Sequence, residues 1–204
     1  MRLYIQRGCT ASDAVRVALN LKGIDYQLID INDTDADLSG VPLINDLRVT
    51  PVLYDQQRMQ IESLAIIEYL DEVYPDVMLL PGTARDRVRV RSIAQVIISD
   101  INPMLTPRVR QYMATEETGL DAEAWTNHWV NLGFEAIEEL LADNPATGHF
   151  CLGNTPTMAD ACLAPQVWHS QKTVLDLGRF PTVQRVYENC LKLEAFENVA
   201  LELR

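Results

Sequence analysis

Apolar positions in the first third of the chain follow two periods in turn. Arg2–Gln6 is short and β-rich and reads as a strand. After it, Ala14, Val15, Val17, Ala18, Leu19 and Leu21 fall on one helical face, with Ser12 as the expected N-cap and Gly23 where a C-terminal glycine belongs. Tyr26–Ile31 alternates apolar and polar residues and predicts a second strand. The polar stretch Asn32–Asp46, with Gly40 and Pro42, predicts a loop holding at most a short helix. Pro51–Tyr54 and Arg58–Ile61 read as a hairpin around Asp55–Gln57. Ser63–Val73 returns to helical spacing through Leu64, Ile66, Ile67 and Leu70, with Pro75 as its stop.

Val77–Thr83 breaks the pattern and predicts a linker. Beyond it nearly everything has helical periodicity: Arg85–Ile101, Thr106–Met113, Ala122–Asp143, Met158–Val174, and Thr182–Leu193 or a little further. No internal repeat or low-complexity tract interrupts it. The pattern therefore divides into residues 1–76, an α/β unit, a linker over 77–84, and an all-helical unit over 85–204.

Composition adds exclusions. With 48% hydrophobic and 23% charged residues, the 204-residue chain is an ordinary globular one with room for one or two domains. A net charge of −12 argues against nucleic-acid binding, which needs clustered Lys and Arg, but leaves room for a small anionic substrate in a local basic pocket. No apolar run reaches membrane-spanning length, and residues 1–8 enter a strand pattern without a signal-peptide core. Cys9, Cys151, Cys162 and Cys190 lack zinc-type pair spacing and are too sparse for a disulfide scaffold, which predicts a reducing cytoplasm. His128, His149 and His169 are scattered, so no metal site is expected, and Trp125, Trp129 and Trp168 read as core or interface residues.

Three short segments carry candidate chemistry. In Arg7-Gly8-Cys9-Thr10-Ala11-Ser12, small polar side chains crowd a helix N-terminus, where free N–H groups and the helix dipole stabilise an anion. A thiolate there, that of Cys9 or of a bound thiol, would have its pKa lowered. The competing reading is that Ser12 or Thr10 caps the helix and Cys9 is a small buried residue. In Val49-Thr50-Pro51-Val52-Leu53, the proline opens a strand, as an ordinary trans bond or as a cis bond that turns the Thr50 backbone outward. In Glu62-Ser63, a carboxylate and a hydroxyl precede a helix, either as its cap or as a pocket for an α-amino-acid end.

In this order the three segments resemble the glutathione transferase family, over nearly the whole chain and most of all its zeta class of maleylacetoacetate and maleylpyruvate isomerases. The matching stretches are Ala14–Tyr26, Thr50–Leu53, Glu62–Leu70, Leu79–Pro81, Asp100–Pro103, Gly133–Phe134 and Cys151–Val167. Within the last, Thr157-Met-Ala-Asp160 looks like the family's buried capping box. The resemblance implies an α/β thioredoxin-like N-terminal domain, an all-α C-terminal domain, bound glutathione, a cis Thr50–Pro51 bond and a two-fold homodimer.

It also implies roles by position. The backbone at Thr50 and Pro51 would pair with the cysteinyl unit of glutathione, and Glu62 with Ser63 would hold its γ-glutamyl end. Asn102, Thr106 and Arg108 match positions near glutathione or substrate across the cleft; Arg108, Arg110 and Lys172 are the candidate cations for substrate carboxylates. Two departures stand out. Cys9 and Thr10 occupy the place of the usual serine pair, so Thr10 is the first candidate for the thiolate-stabilising hydroxyl and Ser12 the second. Lys172 stands where an arginine is usual and binds carboxylate as a point charge, without the bidentate fork. The activity implied is glutathione-dependent cis–trans isomerisation of a maleyl dicarboxylate in aromatic amino-acid or aromatic-acid catabolism. Two alternatives remain: thiol transfer with Cys9 as nucleophile, as in the omega class, and a non-catalytic interaction protein of the same fold.

Overall fold

The computed structural model describes residues 1–33, 50–80, 82–115, 119 and 121–202. Most of the polar stretch Asn32–Asp46, with Val49 and Pro81, lies outside the described residues. Four strands, β1 (Arg2–Ile5), β2 (Gln27–Asp30), β3 (Val52–Asp55) and β4 (Arg58–Ile61), form one sheet in the order β2-β1-β3-β4. β1 runs parallel to β2 and antiparallel to β3, and β3 pairs antiparallel with β4. Helices α1 (Thr10–Leu21) and α2 (Ser63–Val73) complete this α/β unit.

The two-residue period of β1 splits its side chains between the faces of the sheet. Leu3 and Ile5 join the main core with Ala14, Val15, Val17, Ala18 and Leu19 of α1, while Tyr4 packs with Ile29 and Val52 in a smaller cluster. Each fully buried Val, Leu or Ile contributes about 1.5–3 kcal/mol of transfer free energy. The end of α1 follows its sequence signal. Lys22 is the C-cap, Gly23 has φ +64°, and the Gly23 and Ile24 N–H groups return to Asn20 and Leu19 O, both at 3.0 Å.

The helical unit comprises α3 (Ala84–Gln95), α4 (Pro107–Thr115), α5 (Ala122–Leu141), α6 (Met158–Gln171), α7 (Pro181–Cys190) and α8 (Glu194–Leu201). α6 is buried on nearly all sides from Met158 to Trp168 and packs against α1, so the two units share one core. Its N-terminus holds the expected capping box. Asp160 Oδ2 accepts from Thr157 N and Thr157 Oγ1, and Oδ1 from Cys151 N, each at 2.8 Å.

Three expectations need correction. The helix expected over Arg85–Ile101 is α-helical only to Gln95, continues as a π turn over Val96–Ile101, and tightens to a 3₁₀ turn over Asn102–Leu105. Pro103 has no N–H to extend the ladder, and Gly133 of α5 admits the widened turn: a Cβ there would stand 2.2 Å from Ile101 Cγ1. The expected Met158–Val174 helix stops at Gln171, because Ser170 O accepts the N–H groups of Thr173, Val174 and Leu175, all at 3.1 Å. The single helix expected over Thr182–Leu193 is instead α7 and α8. Leu193 N turns back to Cys190 O at 3.0 Å, and Leu193 caps α8, whose Phe196 and Val199 are fully buried.

Candidate active site

A cleft of about 560 Å³ runs between the α/β unit and the helical unit. One wall is the start of α1. The N-cap is Cys9, not Ser12: Cys9 has extended φ/ψ of −107° and 113°, and the first intrahelical bond runs from Asp13 N to Cys9 O at 3.0 Å. The N–H groups of Thr10, Ala11 and Ser12 therefore have no acceptor within the helix. Cys9, Thr10 and Ala11 line the cleft. Ser12 does not; it is fully buried behind them, its Oγ without a partner among the described residues.

The heads of β3 and α2 supply the next part of the wall. The Thr50–Pro51 bond is cis, and both residues line the cleft ahead of β3. The N-cap of α2 is Glu62, with φ +67° and no side-chain cap bond, so Ser63 is the first helical residue rather than a cap. Ser63 is 2% exposed, yet its Oγ has no partner among the described residues and it lines the cleft. A buried hydroxyl left unpaired costs about 1–3 kcal/mol, so this one is suited to a ligand acceptor or donor. The exposed Glu62 is the one carboxylate among the described lining residues.

The opposite wall comes from the irregular turns and α4. Ile98 and Asn102 reach the cleft from the π and 3₁₀ turns. Thr106, expected to open a helix, is extended (φ −64°, ψ 149°) ahead of Pro107, and its Oγ1 donates to Pro103 O at 3.0 Å. Arg108 and Arg110 are exposed on α4, line the cleft, and have no ion-pair partner among the described residues. Among the described lining residues, two guanidinium groups without an ion pair face a single carboxylate, which gives this lining a basic character within an acidic protein.

α6 closes the end of the cleft with Gln166 and His169, and the turn after it adds Thr173. Lys172 is the exposed C-cap of this helix and does not line the cleft. His169 Nε2 lies 2.9 Å from Asp13 Oδ2, and Asp13 Oδ1 lies 3.2 Å from Arg16 Nη1. Arg16 also pairs with Glu202; burial opposes its charge, but Asp13 and Glu202 leave its pKa raised overall. Sequence reading passed over Arg7, Gln166, His169 and Thr173 as site residues. The available signal was weak: polar residues at one helical spacing within an otherwise apolar α6, and a cation in the loop before α1. Arg7 bonds to Asp30 Oδ2 at 3.0 Å.

Cys9 is the half-buried cysteine of the cleft; Cys151, Cys162 and Cys190 are buried in the core, where desolvation raises each thiol's pKa and suppresses reactivity. No group of carboxylates, cysteines and histidines among the described residues is arranged to hold a metal ion.

Comparison with known proteins matches this architecture. Residues 3–78 match the family model for the glutathione S-transferase N-terminal domain, and residues 130–192 that for the glutathione S-transferase C-terminal domain. Maleylpyruvate isomerase of Ralstonia sp. is 34% identical, with 98% of this chain and 96% of the relative covered. A holo structure of maleylpyruvate isomerase, a bacterial zeta-class glutathione S-transferase, superposes with a TM-score of 0.88 at 34% identity, covering 100% of this chain and 98% of the other. The Methylobacterium extorquens maleylacetoacetate isomerase bound to malonate and glutathione gives a TM-score of 0.89 at 31% identity, again over 100% and 98%. With one family model over residues 3–78, a second over residues 130–192, and zeta-class relatives matched over nearly the whole chain, the chain belongs to the glutathione S-transferase family.

Proposed function

We propose that the protein is a glutathione-dependent cis–trans isomerase of a maleyl dicarboxylate, such as maleylpyruvate or maleylacetoacetate. The observation that carries this reading is the division of labour in one cleft. The amides at the start of α1 and the Ser63 hydroxyl lie on the α/β side, and Arg108 and Arg110 on the helical side, with Ser63 and both arginines unpaired among the described residues. Relatives named for this reaction, one crystallised with glutathione and a dicarboxylate, support it.

Glutathione, when bound, supplies the thiolate that adds reversibly to the activated double bond and so permits rotation. Ser63 and the first amides of α2 are suited to its γ-glutamyl carboxylate, Glu62 to the ammonium, and the Thr50 and Pro51 backbone to the cysteinyl unit. Asn102 and Thr106 approach from the other wall. Thr10, at the first position of α1, stabilises negative charge on sulfur with its hydroxyl, helped by the helix terminus. Ser12, the second local candidate, is buried behind this wall and would act only indirectly. Arg108 and Arg110 hold the substrate carboxylates as charge-assisted partners, and Lys172 stands as an outer cation at the end of α6.

A second reading rests on Cys9, a free thiol at a helix N-terminus in the cleft: glutathione-dependent thiol transfer. We divide the chain into a glutathione-binding domain over 1–76, a linker over 77–84 and a helical domain over 85–204. The protein works in the cytoplasm as an isologous homodimer. No helix among the described residues is long and apolar enough to cross a membrane. Calorimetric titration with glutathione and a maleylpyruvate isomerisation assay test the main reading. Failure of both leaves only a non-catalytic interaction protein of this fold.

A further inference from the structure

Asp13 and His169 join α1 to α6 across 156 positions of sequence. Asp13 is buried, with 2% of its side chain exposed, while His169 is 15% exposed and opens onto the cleft. A carboxylate oxygen only accepts, so the hydrogen on His169 Nε2 donates to Asp13 Oδ2. In the neutral ring the lone pair then sits on Nδ1, which has no partner among the described residues. Asp13 belongs to the first turn of α1, so its carboxylate fixes the imidazole beside the helix end where Cys9 and Thr10 line the same cleft. A histidine held on Nε2 by a buried carboxylate, and itself lining a cleft, has the partners that a general base needs.

We propose that His169, oriented by Asp13, is the catalytic base that takes the proton from the thiol bound against the N-terminus of α1. The proposal rests on the glutathione reading above. In the step the S–H bond breaks, its electron pair stays on sulfur, and the proton joins the Nδ1 lone pair to give an imidazolium. The proton returns to sulfur when the thiol leaves. Among the described residues, the charged and titratable groups around this exchange are Asp13 and Arg16 of α1, Arg7 and Cys9 before it, Tyr26 and Glu202 beside Arg16, Glu62 at the head of α2, and Arg108 and Arg110 across the cleft. Asp13 balances the imidazolium, and Arg16 in turn balances Asp13.

The proton count tests this in the intact protein. Glutathione is titrated near neutral pH, with bound thiolate read from its ultraviolet absorbance. Proton release is read by calorimetry in buffers of different ionisation enthalpy. A proton kept by His169 means that thiolate forms with less than about 0.2 proton released per chain. His169→Gln should then lose about tenfold of the thiolate signal at the same pH, while S-methylglutathione binds within about twofold of wild type. Asp13→Asn should reduce thiolate yield in the same direction with S-methylglutathione affinity unchanged, which a purely structural tie would not produce. Release of about one proton for each thiolate formed in the wild type overturns the proposal, whatever the variants do. So does an undiminished thiolate signal in His169→Gln. Absence of any binding heat with glutathione refutes the glutathione reading itself, and this step with it.

Discussion

Lys22 Nζ lies 2.7 Å from Asp71 Oδ1, with 1% and 4% of the two side chains exposed. The pair ties the C-cap of α1 to the last turn of α2, and both partners are saturated by the backbone that follows. Asp71 accepts from Leu79 N at 3.0 Å and Leu80 N at 2.6 Å, and Lys22 donates to Tyr74 O at 2.9 Å and to Val77 O. Leu79 O in turn accepts Met158 N of α6 at 2.9 Å. The segment between the two units is therefore clamped at its middle by a buried ion pair on one side and the start of α6 on the other.

Removing one member of that pair leaves the other charge buried. Lys22→Met should destabilise the protein by about 3–5 kcal/mol. Combined with Asp71→Asn, the loss should fall short of the sum of the single losses by about 1–3 kcal/mol, because the second change removes the orphaned charge. Denaturant unfolding of the four proteins in the cycle measures the coupling. Strict additivity would show that the pair does not act as a unit.

Asp160 serves three donors at once, and no neutral residue does the same. Asp160→Ala should lose the cap and strand the buried Cys151 N–H, for a total above about 2 kcal/mol. Asp160→Asn should recover only part of this, since one of its two acceptor atoms becomes a donor. An unfolding midpoint for Asp160→Ala equal to that of wild type would contradict this role.

Tyr69 and Tyr74 both donate to Asp55 Oδ2, at 2.9 and 3.1 Å. Burial first, then the bond to Asp55 and its charge, push the Tyr69 phenol up to about 12, and Tyr74 shifts the same way. The folded value lies above the unfolded one of about 10, so the neutral phenol stabilises the fold. That contribution is complete below about pH 10 and is lost as the pH rises through about 12. Ultraviolet titration of the seven tyrosines should show a late phase that Asp55→Asn moves downward, though not fully, because burial remains. A single phase at the ordinary phenol range while the protein is still folded would exclude the effect.

On the isomerase reading, Thr10→Ala should raise the pKa of the bound thiol and lower kcat/KM by about tenfold to a hundredfold, whereas Cys9→Ala should change it by less than about threefold. A hydroxyl donates strongly to a thiolate, and a thiol does so weakly. If thiol transfer is the true activity, the order reverses: Cys9→Ala is inactive, and mass spectrometry finds a mixed disulfide between Cys9 and glutathione. Wild-type turnover in both variants would leave the free amides at the start of α1 to stabilise the sulfur, because Ser12 is buried behind the cleft wall.

What the sequence by itself determined is local. The bounds of α2 at Ser63 and Val73, the turn between β3 and β4, Gly23 at the end of α1, and the Thr157–Asp160 box were legible because each depends on neighbours a few residues away. Hydrogen-bond period, φ at a glycine and cap geometry are properties of a short segment. The family motifs likewise marked Cys9, Thr10, Thr50, Ser63 and Arg108, which the fold brings to one cleft. Only the tertiary structure decided the rest. An apolar stripe looks the same in an α-helix and in a π turn, so the widening at Val96–Ile101 depended on the space left by Gly133 of α5, far along the chain. The break between α7 and α8 seats Phe196 in a core whose shape no local window contains. Lys172 and His169 both lie at the C-terminal end of α6, yet the orientation of α6 against α1 turns His169 to Asp13 and the cleft and leaves Lys172 outside it. Packing sets that rotation, because a helix buried on nearly all sides has no amphipathic stripe from which to read its inward face.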